Sequence, residues 1–401
     1  MSAVPPVIDA GQPSRMNAAL QRILNGNWLV GIVAVVLSIL VGSVLIAVTD
    51  SGVQAAAGYF FARPLDTIAA IWESIAGAYA AFFRGGIFDY RAATFAEGIE
   101  SFAESLHRST PLIIAALGIG LTFRAGLFNI GGRGQILFGA AFGGWIAFGT
   151  DLPYVIHPIV AVLVGAVAGA FLGAVAGALK AFTGAHEVIV TIMLNFIALN
   201  LLVWALNPGG PLRGQGSSPL TPPPPESSLF PFLFPGYSVT AGFLLAIALT
   251  AGVWWLLERS SLGFKLRAVG ENPAAARTAG IDTKAITIIA MALSGALVGI
   301  AGVELALGET RRPFGSSIDN GVGFEAITVA LLGRSRAWGM LAAGILFGIF
   351  RAGAVQMRIA GYSDDIVTVV QALIVLFLAA PPLIRELWGV RPDGRRKAAK
   401  A

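Results

Sequence analysis

The sequence contains no cysteine, so it offers neither a disulfide nor a thiolate metal site. It is also poor in charge. Asp, Glu, Lys and Arg make up 12% of the 401 residues, about half of the roughly 25% usual in soluble domains. The three histidines, His107, His157 and His186, show no ligand spacing, and no metal site is expected. GxxxxGK[ST], HExxH and GxSxG are all missing, so there is no phosphate-binding loop, metalloprotease helix or nucleophile elbow. The net charge of +5 comes without the basic–aromatic interleaving of a nucleic-acid face, and no nucleic acid partner is expected. Acids within apolar stretches are few: Glu187, Glu304 and Glu325. Each lies near the end of an expected span, which favours an interface carboxylate over a proton relay.

What is abundant is apolar. Hydrophobic residues make up 56% of the chain and mean hydropathy is +0.77. This predicts an all-α polytopic membrane helix bundle of about ten spans, some short or re-entrant, within 28–384. The expected spans are 28–48, 111–125, 136–150, 158–182, 188–206, 239–257, 285–305, 322–333, 338–354 and 366–384. The first outruns the roughly 7–15 apolar residues of a cleaved signal and reads as retained, although Ala55–Ala57 resembles a cleavage site. The eighth is too short to cross as a helix and reads as a half-helix buried in protein. Between the first two spans, 49–109 is polar and contains two amphipathic stretches, expected on the membrane surface or against the bundle. Residues 207–238 form a loop too rich in proline for helix.

An even span count puts both termini on one side. Segments on that side, including the tails 1–27 and 385–401 and the loop 258–284, hold 18 of the 27 lysines and arginines. The positive-inside rule makes them cytoplasmic and makes 49–109 and 207–238 periplasmic.

Four stretches stand out. Gly165, Gly169, Gly173 and Gly177 recur at four-residue spacing, a device for close helix packing. FRAGLFNIGGRGQ, 123–135, places Asn129 and Gln135 in an apolar hairpin. Their amides suit a neutral polar solute or broken helix ends, and a plain turn with Arg124 and Arg133 snorkelling explains the stretch equally well. Glu187, Thr191 and Asn195 fall at i, i+4 and i+8 on one helix face, either lining a path or bonding neighbouring helices. The fourth is the charged loop Glu258–Lys284, which cannot lie in hydrocarbon. Asn272 and Pro273 read as an N-cap and first helical residue, Ala274–Arg277 favour helix, and Gly280 is a stop. A solvated connection is the plain reading, and a docking element is the sharper one.

At these places the chain resembles a known family. RAVGENPAAARTAGI resembles the cytoplasmic coupling loop of ABC-importer permeases. FRAGLFNIGGRGQ, EVIVTIMLNFIA and GFEAITVALLGRSRAWGMLAAGILFG are similar to permeases of the ribose and branched-chain amino acid group, within its nucleoside and simple-sugar branch. Arg133 and His186 depart from that pattern, which often has an acid and an Asn there. The resemblance covers roughly 110–380. It implies a permease subunit, not an enzyme, in the inner (plasma) membrane, serving an importer of a nucleoside or simple sugar. A branched-chain amino acid or other small neutral solute is the alternative cargo, and a stand-alone secondary transporter the alternative class. The implied partners are an ATPase chain, which would hold ATP and magnesium while this chain holds no cofactor, a second and different permease, and a periplasmic or lipid-anchored binding protein. The implied coupling residues are Gly270, Glu271, Asn272, Pro273, Ala275, Ala276, Arg277 and Gly280. The path would involve Asn129, Gln135, Glu187, Thr191 and Asn195. Phe128 and Phe196 lie near it, either to stack on a base or as ordinary packing aromatics.

Overall fold

The computed structural model describes residues 27–363 and 365–379. The tail 1–27, except Asn27, the tail 385–401 and the end of the tenth expected span lie outside the described residues. Fourteen α-helices follow one another: α1 Asn27–Thr49, α2 Ser51–Ala57, α3 Pro64–Gly86, α4 Phe95–Arg124, α5 Gly132–Gly149, α6 Ile156–Thr183, α7 Glu187–Leu206, α8 Ala241–Arg259, α9 Ser261–Glu271, α10 Pro273–Thr278, α11 Thr283–Glu304, α12 Val322–Leu332, α13 Ala337–Ile359 and α14 Asp365–Ala379. No strand occurs among the described residues; the chain there is all-helical, with one isolated bridge between Phe232 and Thr240.

Among the described residues, six helices are long and apolar enough to cross a membrane: α4, α6, α7, α8, α11 with its continuation, and α13. A bent pair, Val36–Thr49 and Ser51–Ala57, meeting at 69°, raises the number to seven if it counts as one span. The expected ten therefore stand as six, or seven with that pair, plus shorter pieces. α12 has 11 residues. In α5 the glycines, Arg133 and Gln135 keep an 18-residue helix below the apolarity of a span.

Two boundaries differ from expectation for physical reasons. The amphipathic stretch before the second span is continuous with it. α4 starts at the cap Thr94, whose hydroxyl accepts from Glu97 N–H at 3.3 Å, and runs for 30 residues, about 45 Å at 1.5 Å per residue. It passes through Pro111, whose neighbours Ser109 and Thr110 turn their hydroxyls onto the Leu106 carbonyl. α11 likewise does not stop at Glu304. It continues as a π-helical turn, Leu305–Thr310, so Glu304 lies inside a 28-residue apolar helix, six residues before its end. Such π turns concentrate at functional sites.

The described chain divides into two compact units. In the unit of 1–67 and 365–401, α14 packs on α1. In the unit of 68–364, α4 is central. Its residues Ser109–Thr122 are all buried, among α8, α11, α12 and α13. α6 lies along α11 with almost no side chain between them. Cβ atoms on Gly165, Gly169 and Gly173 would strike Val303 and the Gly295 and Met291 carbonyls, while those on Gly295 and Gly299 would strike the Gly169 and Gly165 carbonyls. Two glycine rows thus face each other backbone to backbone.

Gly169→Leu is expected to destabilise the protein by at least the usual overpacking cost of about 1–3 kcal/mol. Thermal unfolding in detergent checks it, with Gly252→Ala, which has open space around it, expected to match the parent or slightly exceed it.

Candidate functional site

The turn between α4 and α5 is held almost entirely by polar side chains. Asn195, in the middle of α7, takes the Gly134 N–H at 2.8 Å and donates to the Ile130 carbonyl at 2.9 Å. One turn earlier Thr191 accepts from Ile130 N–H at 3.3 Å. At the start of α7, Glu187 accepts from Phe128 N–H at 3.5 Å and pairs with Lys180 at 2.6 Å. All three stripe residues are buried. Asn129 donates to Gln135 at 3.0 Å and to Ser294 of α11 at 2.9 Å, and accepts from Gly131 N–H at 2.9 Å. Asn129, Gln135 and Ser294 are also buried. The five candidate path residues are therefore one connected network, which ties an irregular turn to α7 and α11. Ser294 is a member that sequence reasoning missed, because a lone serine in an apolar helix carries no signal. The aromatic candidates are not part of it: Phe128 and Phe196 are exposed, as are Trp145 and Phe324. Arg133 meets Asp319 at 3.3 Å. Burial pushes the Asp319 carboxyl up, and the Arg133 guanidinium opposes this.

Loop 258–284 is ordered throughout. Ser260 accepts from Gly263 N–H at 2.9 Å and starts α9, which the sequence reading leaves as loop. Asn272 then caps α10, accepting from Ala274 and Ala275 N–H at 3.0 Å each. Gly280 follows with φ +82°, a left-handed turn that glycine adopts without strain. Glu271, Asn272, Pro273, Ala275, Arg277 and Gly280 are exposed, whereas Ala276 faces inward with 4% exposure. Gly270 lies against the end of α4: a Cβ on Gly126 would sit 3.0 Å from its Cα and its carbonyl oxygen. The exposed α10 and the polar turn after α4 are thus neighbours.

At the other end of α4, α8 and α11 lies a second polar region. Glu304 is fully buried and neither carboxylate oxygen has a hydrogen-bond partner. Gly242 and Gly308 make room for it, since a Cβ on either would press on its Oε1. The Thr240 hydroxyl, also buried and unpartnered, borders the same space. The proline-rich loop is fastened to this end by Phe230 N–H to the Leu307 carbonyl, 3.3 Å, and Thr221 N–H to the Phe314 carbonyl, 2.9 Å. Reading the helix onward through LALGET would have revealed the burial of Glu304.

Comparison with known proteins adds family membership. Residues 101–379 match the family described as branched-chain amino acid transport system / permease component. The chain is 33% identical to the guanosine ABC transporter permease protein NupP of Bacillus subtilis, over 90% of this chain and 95% of that one. It is 34% identical to the glucose ABC transporter permease protein TsgB13 of Haloferax volcanii, over 74% and 81%. It is 27% identical to NupQ, another guanosine ABC transporter permease protein of B. subtilis, over 73% and 92%. No solved structure gives a significant match.

Asn195→Leu strands the Gly134 N–H and the Ile130 carbonyl, and each unpaired buried group costs about 1–3 kcal/mol. The variant is expected to lose about 2–4 kcal/mol of stability in a detergent melt, while Phe196→Ala beside it, on an exposed side chain, shifts it by less than about 0.5 kcal/mol.

Proposed function

Because the chain belongs to the family of branched-chain amino acid transport system permease components, and is a multi-pass membrane permease, we propose that it carries a nucleoside or related simple sugar inward as one subunit of an ATP-driven importer. The observation that carries the cargo assignment is the similarity to NupP along nearly the whole of both chains. Similarity to a glucose permease supports the sugar end of the same range. The neutral side chains Asn129, Gln135 and Ser294, bonded to one another, suit a neutral solute.

ATP and magnesium are held by a separate ATPase chain, which docks on the exposed face of α10. That face is Asn272, Pro273, Ala275 and Arg277, with Ala276 packing inward as its support. A push on α10 reaches α4 through the Gly126–Gly270 contact and then meets the Asn129–Gln135–Thr191–Asn195 network. The basic excess in loop 258–284 supports a cytoplasmic position for it in an inner (plasma) membrane, with the proline-rich loop on the outer side. A binding protein delivers the solute on that outer side. NupP and NupQ are two different permeases of one organism, each similar to this chain, which supports a heterodimer of permeases here.

With the importer expressed as a complex, Ala275→Asp and Arg277→Glu are expected to lower guanosine uptake at least tenfold at normal membrane abundance. Uptake unchanged in both removes α10 from the docking surface. Wild-type uptake of leucine in preference to guanosine and glucose moves the cargo to the amino acid class.

A further inference from the structure

An open polar cavity of about 590 Å³ lies at the end of the bundle away from α10, within the roughly 300–1,000 Å³ of small-molecule sites. Its wall includes Glu104, His107 and Arg108 of α4, Phe232 of the proline-rich loop, and Glu309, Arg311 and Arg312 around the π turn. Three polar atoms of its wall residues are buried without a hydrogen bond: Arg108 Nε, which is nevertheless ion-paired with Glu104, His107 Nδ1, on a residue only 6% exposed, and Glu309 Oε2. Buried polar atoms are nearly always paired, so each unpaired one calls for an explanation. Arg312 is exposed, and the other cations of the wall are engaged. Arg108 lies 2.7 Å from Glu104, and Arg311 donates to the Phe230 carbonyl at 2.6 Å. Arg311 also stacks over Phe232 at 4.2 Å, holding a ring that remains half exposed.

We infer that this cavity is a receiving site for the solute, and that the class it takes is a molecule with hydroxyl or N–H donors and a flat ring, as in a nucleoside. Glu309 Oε2 accepts a hydroxyl, His107 Nδ1 pairs with a second polar group, and the ring lies on Phe232. Arg311 bonds only a neutral carbonyl and Arg312 stays exposed in the same wall, so the wall keeps positive charge and its electrostatics alone do not select against a phosphorylated solute. The site stands at one end of the three helices whose other ends flank α10. His107 and Arg124 are 17 positions apart on α4, about 26 Å along its axis. Glu304, just over one turn further along α11, continues the line of unpaired groups inward. This assignment rests on the importer reading above.

The test uses the full importer with its ATPase and binding protein, and radiolabelled guanosine, with D-glucose as the second probe. Glu309→Gln and Phe232→Ala are expected to raise the uptake KM about tenfold while Vmax falls less than twofold. His107→Asn, which keeps a polar group near Nδ1, should retain a lower KM than His107→Ala. Phe232 is exposed, so its variant is not limited by folding. A KM within twofold of the parent in both Glu309→Gln and Phe232→Ala overturns the site while leaving the importer reading intact. Wild-type complex that moves neither probe overturns the nucleoside-or-sugar cargo, and the site with it.

Discussion

Between apolar helices in a membrane there is little hydrophobic gain to be had from association, because lipid tails are as apolar as leucine. Contact has to come from close fit and from polar groups that need each other. The α6–α11 seam supplies the first, with glycine facing glycine and backbone touching backbone. The link from the polar turn to α11 depends on where that seam holds α11. Ser294 lies next to Gly295 of the seam and reaches Asn129 at 2.9 Å. Asn129 in turn organises the turn that α7 grips with Thr191 and Asn195. Were α11 held further from α6 by side chains, Ser294 would leave this network, and the turn would lose its anchor to α11.

The same scarcity of water explains how the stripe on α7 is used. A carboxylate, a hydroxyl and an amide on one helix face look like the lining of a path. In the folded chain they satisfy backbone groups of a non-helical segment that would otherwise be unpaired in an apolar setting. Irregular backbone at this depth and the polar stripe beside it are two halves of one requirement.

Much of this was readable from residues. The Asn272–Pro273 cap, the Gly280 turn and the four-residue glycine spacing are local signals, and local geometry follows from them. Apart from α9, left as loop, and Ser294, the misreadings concern where elements end or which way they face. The apolar period of α4 begins well before its apolar composition does, so composition cut the helix at Pro111. α11 passes Glu304 because a buried acid is not a stop signal, although acids usually mark interfaces. Ala276 faces inward and Ala275 outward, a difference of one position in an alanine run that no pattern could resolve. Ser294 found its role only through a partner 165 positions away.

The meeting of Gly126 and Gly270 has a mechanical consequence. Two backbones in contact, with no side chain between them, have no rotamers to yield and no methyl groups to slide past one another. A displacement of α9 by a fraction of an ångström must either move the end of α4 or open a gap. The junction therefore acts as a hard stop and not as a spring: it transmits compression with little loss and transmits tension poorly. Force delivered at α10 would drive the bundle in one direction, and the return would have to come from elsewhere in the structure.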